Sequence, residues 1–591
     1  MKVKLLKLLT FCLTLAVLIP NVEAVVANSQ GDTLVRVGLA SSSSYTRNEE
    51  LIGANLLNCE GYGAGYRFGY YDDNMNFIEL GRTDSNVTKI TMIKTQNTWF
   101  HGSDRSSYSN TDNGGTVVGC YHLQLPGDYA DYTQASEIAS SCGGFVAYIN
   151  GVYHVRVGAH VDRAGAEAQQ SDFPESSIVG TSIYGINMIK SGTAEIIFQY
   201  DMGEGTRLAV LPDVTDSLDV RTWFWKLKYR GGFTYQRFEG GNLTVVNVVG
   251  LDDYVKGVTP YEMGRNWPLE ALKTQAVCAR TYVMKANSSH NTLGFDVCTS
   301  DHCQVYYGVG STSTAWGPTE VSDRAVDETS GQVLWYGDRL ARTFYSSSHG
   351  GASEDAKNIW GTDTDIEHPY LCGVIDPYEK AADDVNAYSP WSVHYSAKEL
   401  TKRLNDKGFG IGSEVDRMVL TYSKLGNVIK LEVIWTNGQK NTFRPSDGRN
   451  SIRSVFGVKS IRFTINGATV IQSDPCENNY LINGIENVSA EKELYVLTGS
   501  GIIQKAETDL HAISGKGDIK PLIEKNDLPT GTNEGGGEVI VSGNSYVFDG
   551  AGWGHQVGMS QFGAYAMSQN GFTYDQICEF YFPGTFVGPI S

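Results

Sequence analysis

Residues 243–284 read "LTVVNVVGLDDYVKGVTPYEMGRNWPLEALKTQAVCARTYVM", a near-continuous apolar strand that runs straight into a helix-forming stretch. An apolar run of this length bounded by turn signals predicts a buried strand. Trp267-Pro268 predicts the start of the helix, because proline is tolerated in a first turn. From there Leu269, Leu272, Ala276, Ala279 and Val283 recur at three- and four-residue spacing as one apolar stripe, with Lys273 and Arg280 on other faces. Between strand and helix sits Glu262, with no acid nearer than Asp253 on one side and Glu270 on the other. A carboxyl beside Tyr261, Met263 and Trp267 is liable to a raised pKa by desolvation, which suits a general acid at neutral pH. A helix cap or an ion pair with Arg265 is the bland reading of the same residue.

The rest of the chain is β-rich. Its 591 residues, with 66 Gly and 33 Tyr, allow three or four domains with many turns. Short alternating runs such as "TLVRVGLA", "GYRFGYYD" and "VTKITMIKT" fill a β-rich region over 30–118, and similar runs over 183–250 lead into the Glu262 segment. Between them, 119–182 reads as a small βαββα module with an Asn150-Gly151 hairpin turn. Strands resume from Val415, and 467–537 reads as an insertion between 251–466 and 538–591. The fold class expected is multidomain α+β.

A net charge of −19 offers no basic phosphate-binding face and excludes nucleic acid as a partner. Residues 1–27 carry Lys2, Lys4 and Lys7, an apolar run closed by Pro20, and small residues at the end, the pattern of a secretory signal peptide. A retained membrane anchor is the alternative, disfavoured because the run is short for a span. With no later apolar stretch long enough to cross a bilayer, the expected location is secreted or in the cell wall, with no permanent membrane span after cleavage. Cys12 leaves with the signal, and the nine remaining cysteines do not form the framework of a small disulfide-rich domain.

Two resemblances organise these features. The segments "YHLQL", "QASEIA" and "VYHVRVGAHVDRAGAEA" resemble the SPOR-type repeat, with Arg156, Gly158 and Ala166 at its pattern positions; the resemblance implies a module that binds peptide-stripped peptidoglycan glycan, with Arg156 as a substrate contact. The segments "LDDYVKGVTPYEMGRNWPLEALKTQAVCARTY", "TFYSSSHGGASEDAKNIWG", "IRSVFGVKSIRFTI" and "GAGWGHQVGMSQFGAYAMSQNGFTYDQICEFYFPGT" resemble, in order, the stage II sporulation protein D family, which includes the amidase enhancers. That family is known for lytic transglycosylases acting on glycan whose stem peptides have been removed, and its catalytic Glu falls on Glu262. The resemblance also implies that Arg280 orients Glu262 or contacts the lactyl carboxylate of muramic acid. By the same token Ser347, Ser348 and Gly350 form a sugar-binding loop, and His555, Ser560 and Gln561 line the groove. Two positions depart from the family pattern: Gln556 stands at the second Gly of "GHGVG", and His349 where many relatives keep Ser. Either change is expected to narrow the groove or weaken activity.

His290, Cys298, His302 and Cys303 offer two imidazoles and two thiolates, a donor set suited to tetrahedral zinc, although adjacent His302-Cys303 ligands are sterically awkward. Some members of the family hold zinc in this region; a Cys298–Cys303 disulfide or two free thiols are the alternatives. Zinc would be structural, and no cofactor is required for catalysis.

Ordinary glycosidases need two carboxylates. A lytic transglycosylase manages with one, because the muramic C6 hydroxyl attacks C1 and a single Glu first donates, then accepts, a proton. The reading that follows is an exported enzyme of peptidoglycan glycan strands. A non-catalytic wall-binding enhancer of an N-acetylmuramoyl-L-alanine amidase, with that amidase as partner, is the alternative. A hydrolase of another polysaccharide would need a second carboxylate, for which Asp253 and Glu270 are the nearest candidates.

Overall fold

The computed structural model describes residues 31 and 33–590, apart from 60–63, 103–106, 214–219, 286–287, 313–316, 362–367 and most of 469–536. The signal-peptide segment therefore lies outside the described residues. Of the insertion, the backbones of three short hairpins are described, which pair Asn479–Ile482 with Glu486–Ser489, Tyr495–Leu497 with Ile503–Lys505, and His511–Ile513 with Ile519–Pro521. The molecule is α+β and rich in sheet.

Two large sheets build the N-terminal half. In the seven-stranded sheet, Leu34–Ala40 lies antiparallel to Thr244–Gly250 and parallel to Val297–Cys298. Strand Thr244–Gly250 is buried along all but its last residue, as its apolar sequence predicts. The first strand of the chain is thus a direct neighbour of the strand that delivers Glu262.

The second sheet has ten strands, and the predicted small module forms one end of it. Its elements are strand Tyr121–Gln124, helix Tyr132–Cys142, strands Phe145–Ile149 and Val152–His160, helix Arg163–Gln169 and strand Ser177–Gly180. The pattern is therefore βαββαβ, one strand more than the sequence pattern showed. Both helices begin on an aspartate, Asp131 and Asp162, whose side chain accepts from a backbone N–H in the first turn. The Asn-Gly turn is where expected: Asn150 and Gly151 both take positive φ, 49° and 89°, as a two-residue hairpin of this type requires. The module's sheet does not stop at its own edge, since Phe145–Ile149 continues in parallel into Ile196–Asp201.

Arg156 explains how that continuation is held. Its guanidinium donates to Gln124 Oε1 at 2.9 and 3.1 Å and also to Gln199 Oε1, which lies on the strand beyond the module. The side chain is buried, and desolvation holds its pKa down at about 10. The expectation that Arg156 contacts substrate is thus corrected: a buried guanidinium tied to two carboxamides is not presented to a ligand. Gly158 (φ 74°) and Ala166 are likewise structural, the first in left-handed backbone and the second in a small core with Leu123 and Val157.

The helix predicted after Pro268 spans Leu269–Met284, with Pro268 as its N-cap. One correction applies. The spacing predicts burial on one side, but the helix is buried almost all round because it lies between two cores. Ala276, Ala279, Val283 and Met284 face the core of the large sheets, while Ala271, Leu272, Val277 and Cys278 face a second core formed with Ile359, Val557, Met559 and Ile577. A third core around Trp435, Leu431 and Phe548 carries the C-terminal strands.

Arg156→Ala strands the buried Gln199 oxygen and the part-buried Gln124 oxygen. It is expected to lower stability by about 1–3 kcal/mol, read as a shift of the urea unfolding midpoint.

Candidate active site

Three chain segments meet around Glu262. The first is the short helical turn Thr259–Glu262, which ends on the glutamate because the next residue, Met263, adopts extended backbone. The second is the loop after Cys303, and the third is the parallel pairing of Tyr345–Ser346 with Met559–Ser560. That pairing, with the Ser348–Trp553 bridge, brings the serine loop against the C-terminal motif.

The Glu262 carboxylate accepts the Val305 backbone N–H at 2.6 Å, and hydrogen-bonds to the Tyr345 hydroxyl and the Gln561 carboxamide. Among the described residues no cation pairs with it. Desolvation dominates, and it pushes the carboxyl up to about 7 against the three hydrogen bonds, which favour the charged form. Glu262 as a whole residue is only partly buried, although its carboxyl is strongly desolvated. Glu262 is therefore neither a helix cap nor an ion-pair partner of Arg265. It is an acid poised to change protonation near neutrality.

A second layer fixes these partners. Tyr345 hydrogen-bonds to Gln304 Oε1 at 2.8 Å, and Gln304 Nε2 donates to the Tyr254 hydroxyl at 3.0 Å. Gln561 Nε2 lies 3.3 Å from Gln275 Oε1, while Gln275 Nε2 is buried with no partner. Tyr345, Gln304, Gln275 and the Val305 amide were not legible as site residues. Polar residues at a strand end or on a helix carry no spacing signature; only the adjacency of Gln304 and Val305 to Cys303 hinted at them. Beside Glu262, Tyr261 packs on Tyr307 at 4.9 Å and Trp267 on Phe562 at 4.9 Å.

Several predicted contacts are placed elsewhere. Arg280 is fully buried; it pairs with Asp252 at 2.7 Å and donates to the carbonyls of Gln332 and Val326. It staples the central helix and neither orients Glu262 nor meets a substrate. Ser348 is buried against Glu379, whose carboxylate also accepts the backbone N–H groups of His349 and Gly350. Gly350 takes φ 70° against Ala551, where a Cβ would clash at 2.6 Å. Ser560 is buried as the N-cap of helix Gln561–Gln569. Of the loop serines and C-terminal polar residues, Ser347 and His555 keep partial exposure, and Gln561 touches Glu262. The two candidates for a second carboxylate are engaged away from Glu262: Asp253 faces Arg230 at 3.6 Å, and Glu270 binds Lys273 and the Tyr574 amide.

The two departures from the family pattern are in contact with each other. Gln556 takes φ 64°, left-handed backbone that favours glycine, and its carboxamide donates to the His349 carbonyl at 2.9 Å and accepts the Ile461 N–H at 2.9 Å. Both residues are wholly buried. The expectation that they narrow the groove is corrected, because neither side chain reaches an open surface.

The His290, Cys298, His302 and Cys303 ligand atoms all lie within 4.8 Å of one another. Cys303 Sγ is 3.4 Å from His290 Nε2 and 3.6 Å from His302 Nδ1, and Cys298 Sγ is 3.8 Å from His302 Nδ1. These are close to the edges, about 3.5 Å, of a tetrahedron with metal–ligand bonds of zinc length. The four residues thus fit such an ion, and the adjacent His302 and Cys303 both reach it. Both cysteines are free thiols. Gln304 and Val305, which hold the acid network, follow Cys303 directly.

A desolvated carboxyl held by an amide, a phenol and a carboxamide has the chemistry that an acid–base site requires. Residues 239–336 match the family described as "Stage II sporulation protein". Over 332 residues the chain is 26% identical to the "Amidase enhancer" of Bacillus subtilis, covering 56% of this chain and 40% of that protein. Over 180 residues it is 28% identical to the "Stage II sporulation protein D" of the same organism, covering 29% and 50%. An uncharacterized protein of Brachyspira hyodysenteriae is 30% identical over 240 residues, 40% of this chain and 59% of that one. The matches thus span two to three fifths of these relatives' lengths. Residues 239–336 thus carry the segment that this family shares, and the relatives with family names support the same assignment for that part of the chain.

Glu262 has a consequence for stability. Its folded pKa of about 7 exceeds the unfolded value of 4.5, so the folded state binds more protons between those values and wild-type stability falls as pH rises through that window. Glu262→Gln does not titrate. Its unfolding midpoint in urea is expected to gain on wild type from pH 4.5 to pH 7 and to keep a constant lead above it.

Proposed function

We propose that this protein is an exported lytic transglycosylase that cleaves the MurNAc–GlcNAc backbone of peptide-stripped peptidoglycan. The observation that carries the reading is Glu262 itself, with a carboxyl pKa near 7 and, among the described residues, no second carboxylate in contact. Asp301 acts on it only through charge, as the weakest of the influences. One carboxyl with a pKa near the working pH can serve in turn as acid and base. Glu262 protonates the glycosidic oxygen as the bond to C1 breaks. The carboxylate so formed is stabilised by Val305, Tyr345 and Gln561, and it then removes the proton of the muramic C6 hydroxyl as that oxygen closes on C1. The product is a 1,6-anhydro end, and Glu262 is protonated again.

Tyr261 and Trp267, close to the acid in sequence, offer apolar surface for sugar rings, whereas one face of Tyr307 is covered by the Arg47 guanidinium at 3.7 Å. The βαββαβ unit is a second contact with denuded strands, through groups other than Arg156. Among the described residues no helix is long and apolar enough to cross a membrane. A non-catalytic role in stimulating a wall amidase is a second reading, favoured by the 332-residue match to the "Amidase enhancer".

The full chain, incubated with peptide-free glycan strands, is expected to yield anhydro-muramic ends by mass spectrometry. Reducing ends alone would indicate hydrolysis, and uncut strands with faster action of an added amidase would favour the second reading. Glu262→Gln should reduce cleavage by about 10²–10⁴-fold and leave retention on glycan by residues 119–182 unchanged. Because the free enzyme must carry the proton, kcat/KM should fall as pH rises above about 7.

Zinc at His290, Cys298, His302 and Cys303 would act as a structural clamp on the loop that presents Gln304 and Val305. One zinc per chain is expected by elemental analysis, and Cys298→Ser should lose it. Chelation should lower the melting temperature and speed hydrogen exchange at the Val305 amide; protection unchanged after metal removal would refute the clamp.

A further inference from the structure

A cavity of about 230 Å³ is lined by Trp360, Ser446, Ser451, Arg453, Ile461 and His555. Arg453 is its unusual wall. The Nε atom is buried without a hydrogen-bond partner, and among the described residues the guanidinium makes no hydrogen bond or ion pair. Burial alone lowers its pKa, with no counter-charge acting on it. Arg453 as a whole is partly buried, and a desolvated guanidinium is ordinarily paired or hydrogen-bonded. Arg280 and Arg156, by contrast, are each tied to protein oxygens.

The other walls suit a sugar. Trp360 is 36% exposed, and its ring packs against His555 at 5.6 Å and Phe344 at 4.6 Å. His555 Nδ1 accepts the Val557 amide at 3.1 Å, and desolvation holds the ring down at about 4, so it is neutral and leaves Arg453 as the cation of the cavity. His555 also hydrogen-bonds to the Tyr345 backbone, while the Tyr345 side chain reaches Glu262. Cavity and acid are thus joined through one residue. In a chain of net charge −19, an anionic ligand needs such a local cation.

We propose that this cavity is a subsite for a carboxylate-bearing pyranose, with Arg453 binding the free lactyl carboxylate of a muramic residue and Trp360 facing its ring. The assignment rests on the proposed substrate and deepens it. Muramic acid carries that carboxylate only when its stem peptide is gone; in peptide-bearing strands the same position is a neutral amide. Arg453 would therefore read whether the strand has been stripped, the role that Arg280 does not fill. A guanidinium matches a carboxylate with two parallel hydrogen bonds, and an amide cannot accept both.

The test uses the full chain carrying Glu262→Gln, so that strands are bound and not cut. Calorimetry compares a GlcNAc–MurNAc tetrasaccharide, the same tetrasaccharide with its lactyl groups amidated, chitotetraose, and a glucuronate-containing tetrasaccharide. The acid is expected to bind at least tenfold more tightly than its amide and than chitotetraose. Arg453→Met should remove that difference and Arg453→Lys should keep part of it, with melting temperatures checked for both. Equal binding of acid and amide by the parent protein overturns the proposal without any variant, even if Arg453→Met fails to fold. A preference that survives Arg453→Met in a folded protein overturns the role of Arg453. An equal grip on the glucuronate sugar overturns the muramic assignment. Failure of the proposed reaction is distinguishable: acid preference in a parent enzyme that leaves strands uncut would sink transglycosylation and spare the subsite, and cutting without preference would do the reverse.

Discussion

The hydrogen bond from the Val305 amide to Glu262, 2.6 Å long and spanning 43 residues of sequence, is the contact on which the site depends. It opposes the desolvation that drives Glu262 toward neutrality, and with Tyr345 and Gln561 it keeps the pKa near 7. Without these donors burial would push the carboxyl further up, to where it could donate a proton but would not readily surrender it. Too many donors, or a nearby cation, would hold it ionised and unable to donate. The balance requires partners from three segments, and most of the fold's topology serves to bring them together. The parallel pairing of Tyr345–Ser346 with Met559–Ser560 delivers two of them at once.

The central helix makes that convergence rigid. Leu269–Met284 is enclosed by two cores over most of its length; Glu270 and Lys273 pair at its partly exposed start, but Arg280 lies in the enclosed part and must be neutralised where it stands. Asp252 and two carbonyls do so. Breaking such an arrangement by removing one partner leaves a buried charge uncompensated. A guanidinium used in this way is unavailable to a substrate.

This separates what the sequence made legible from what it did not. The strand and helix around Glu262, the Pro268 start, the Asn-Gly turn and the desolvated acid all follow from local pattern: apolar periodicity, backbone preference, or a carboxyl among apolar neighbours. The convergence of His290, Cys298, His302 and Cys303 was legible too, because four soft donors within a short stretch have few other uses. Arg156, Arg280, Ser348 and Ser560 were misplaced for one shared reason. Each is polar and sits inside a motif, yet each is spent on another buried polar group, and no one-dimensional pattern distinguishes a side chain facing a ligand from one facing a carbonyl. The same blindness hid Tyr345 and Gln304, whose roles exist only after distant strands pair.

The paired departures at His349 and Gln556 show how such a network tolerates change. Left-handed backbone at Gln556 costs on the order of 1 kcal/mol or more for a non-glycine residue. The side chain that incurs this cost also gains two buried hydrogen bonds, one to the residue that carries the other departure. His349 itself keeps a buried ring with neither nitrogen hydrogen-bonded, and desolvation drives its pKa to about 3, so it stays neutral beside Arg462. Two changes that look like damage to a groove when read singly become one exchange of buried partners behind it. The groups that touch Glu262 are Val305, Tyr345 and Gln561. What lies behind them need only hold Tyr345 and Val305 in place, and more than one set of side chains can meet that demand.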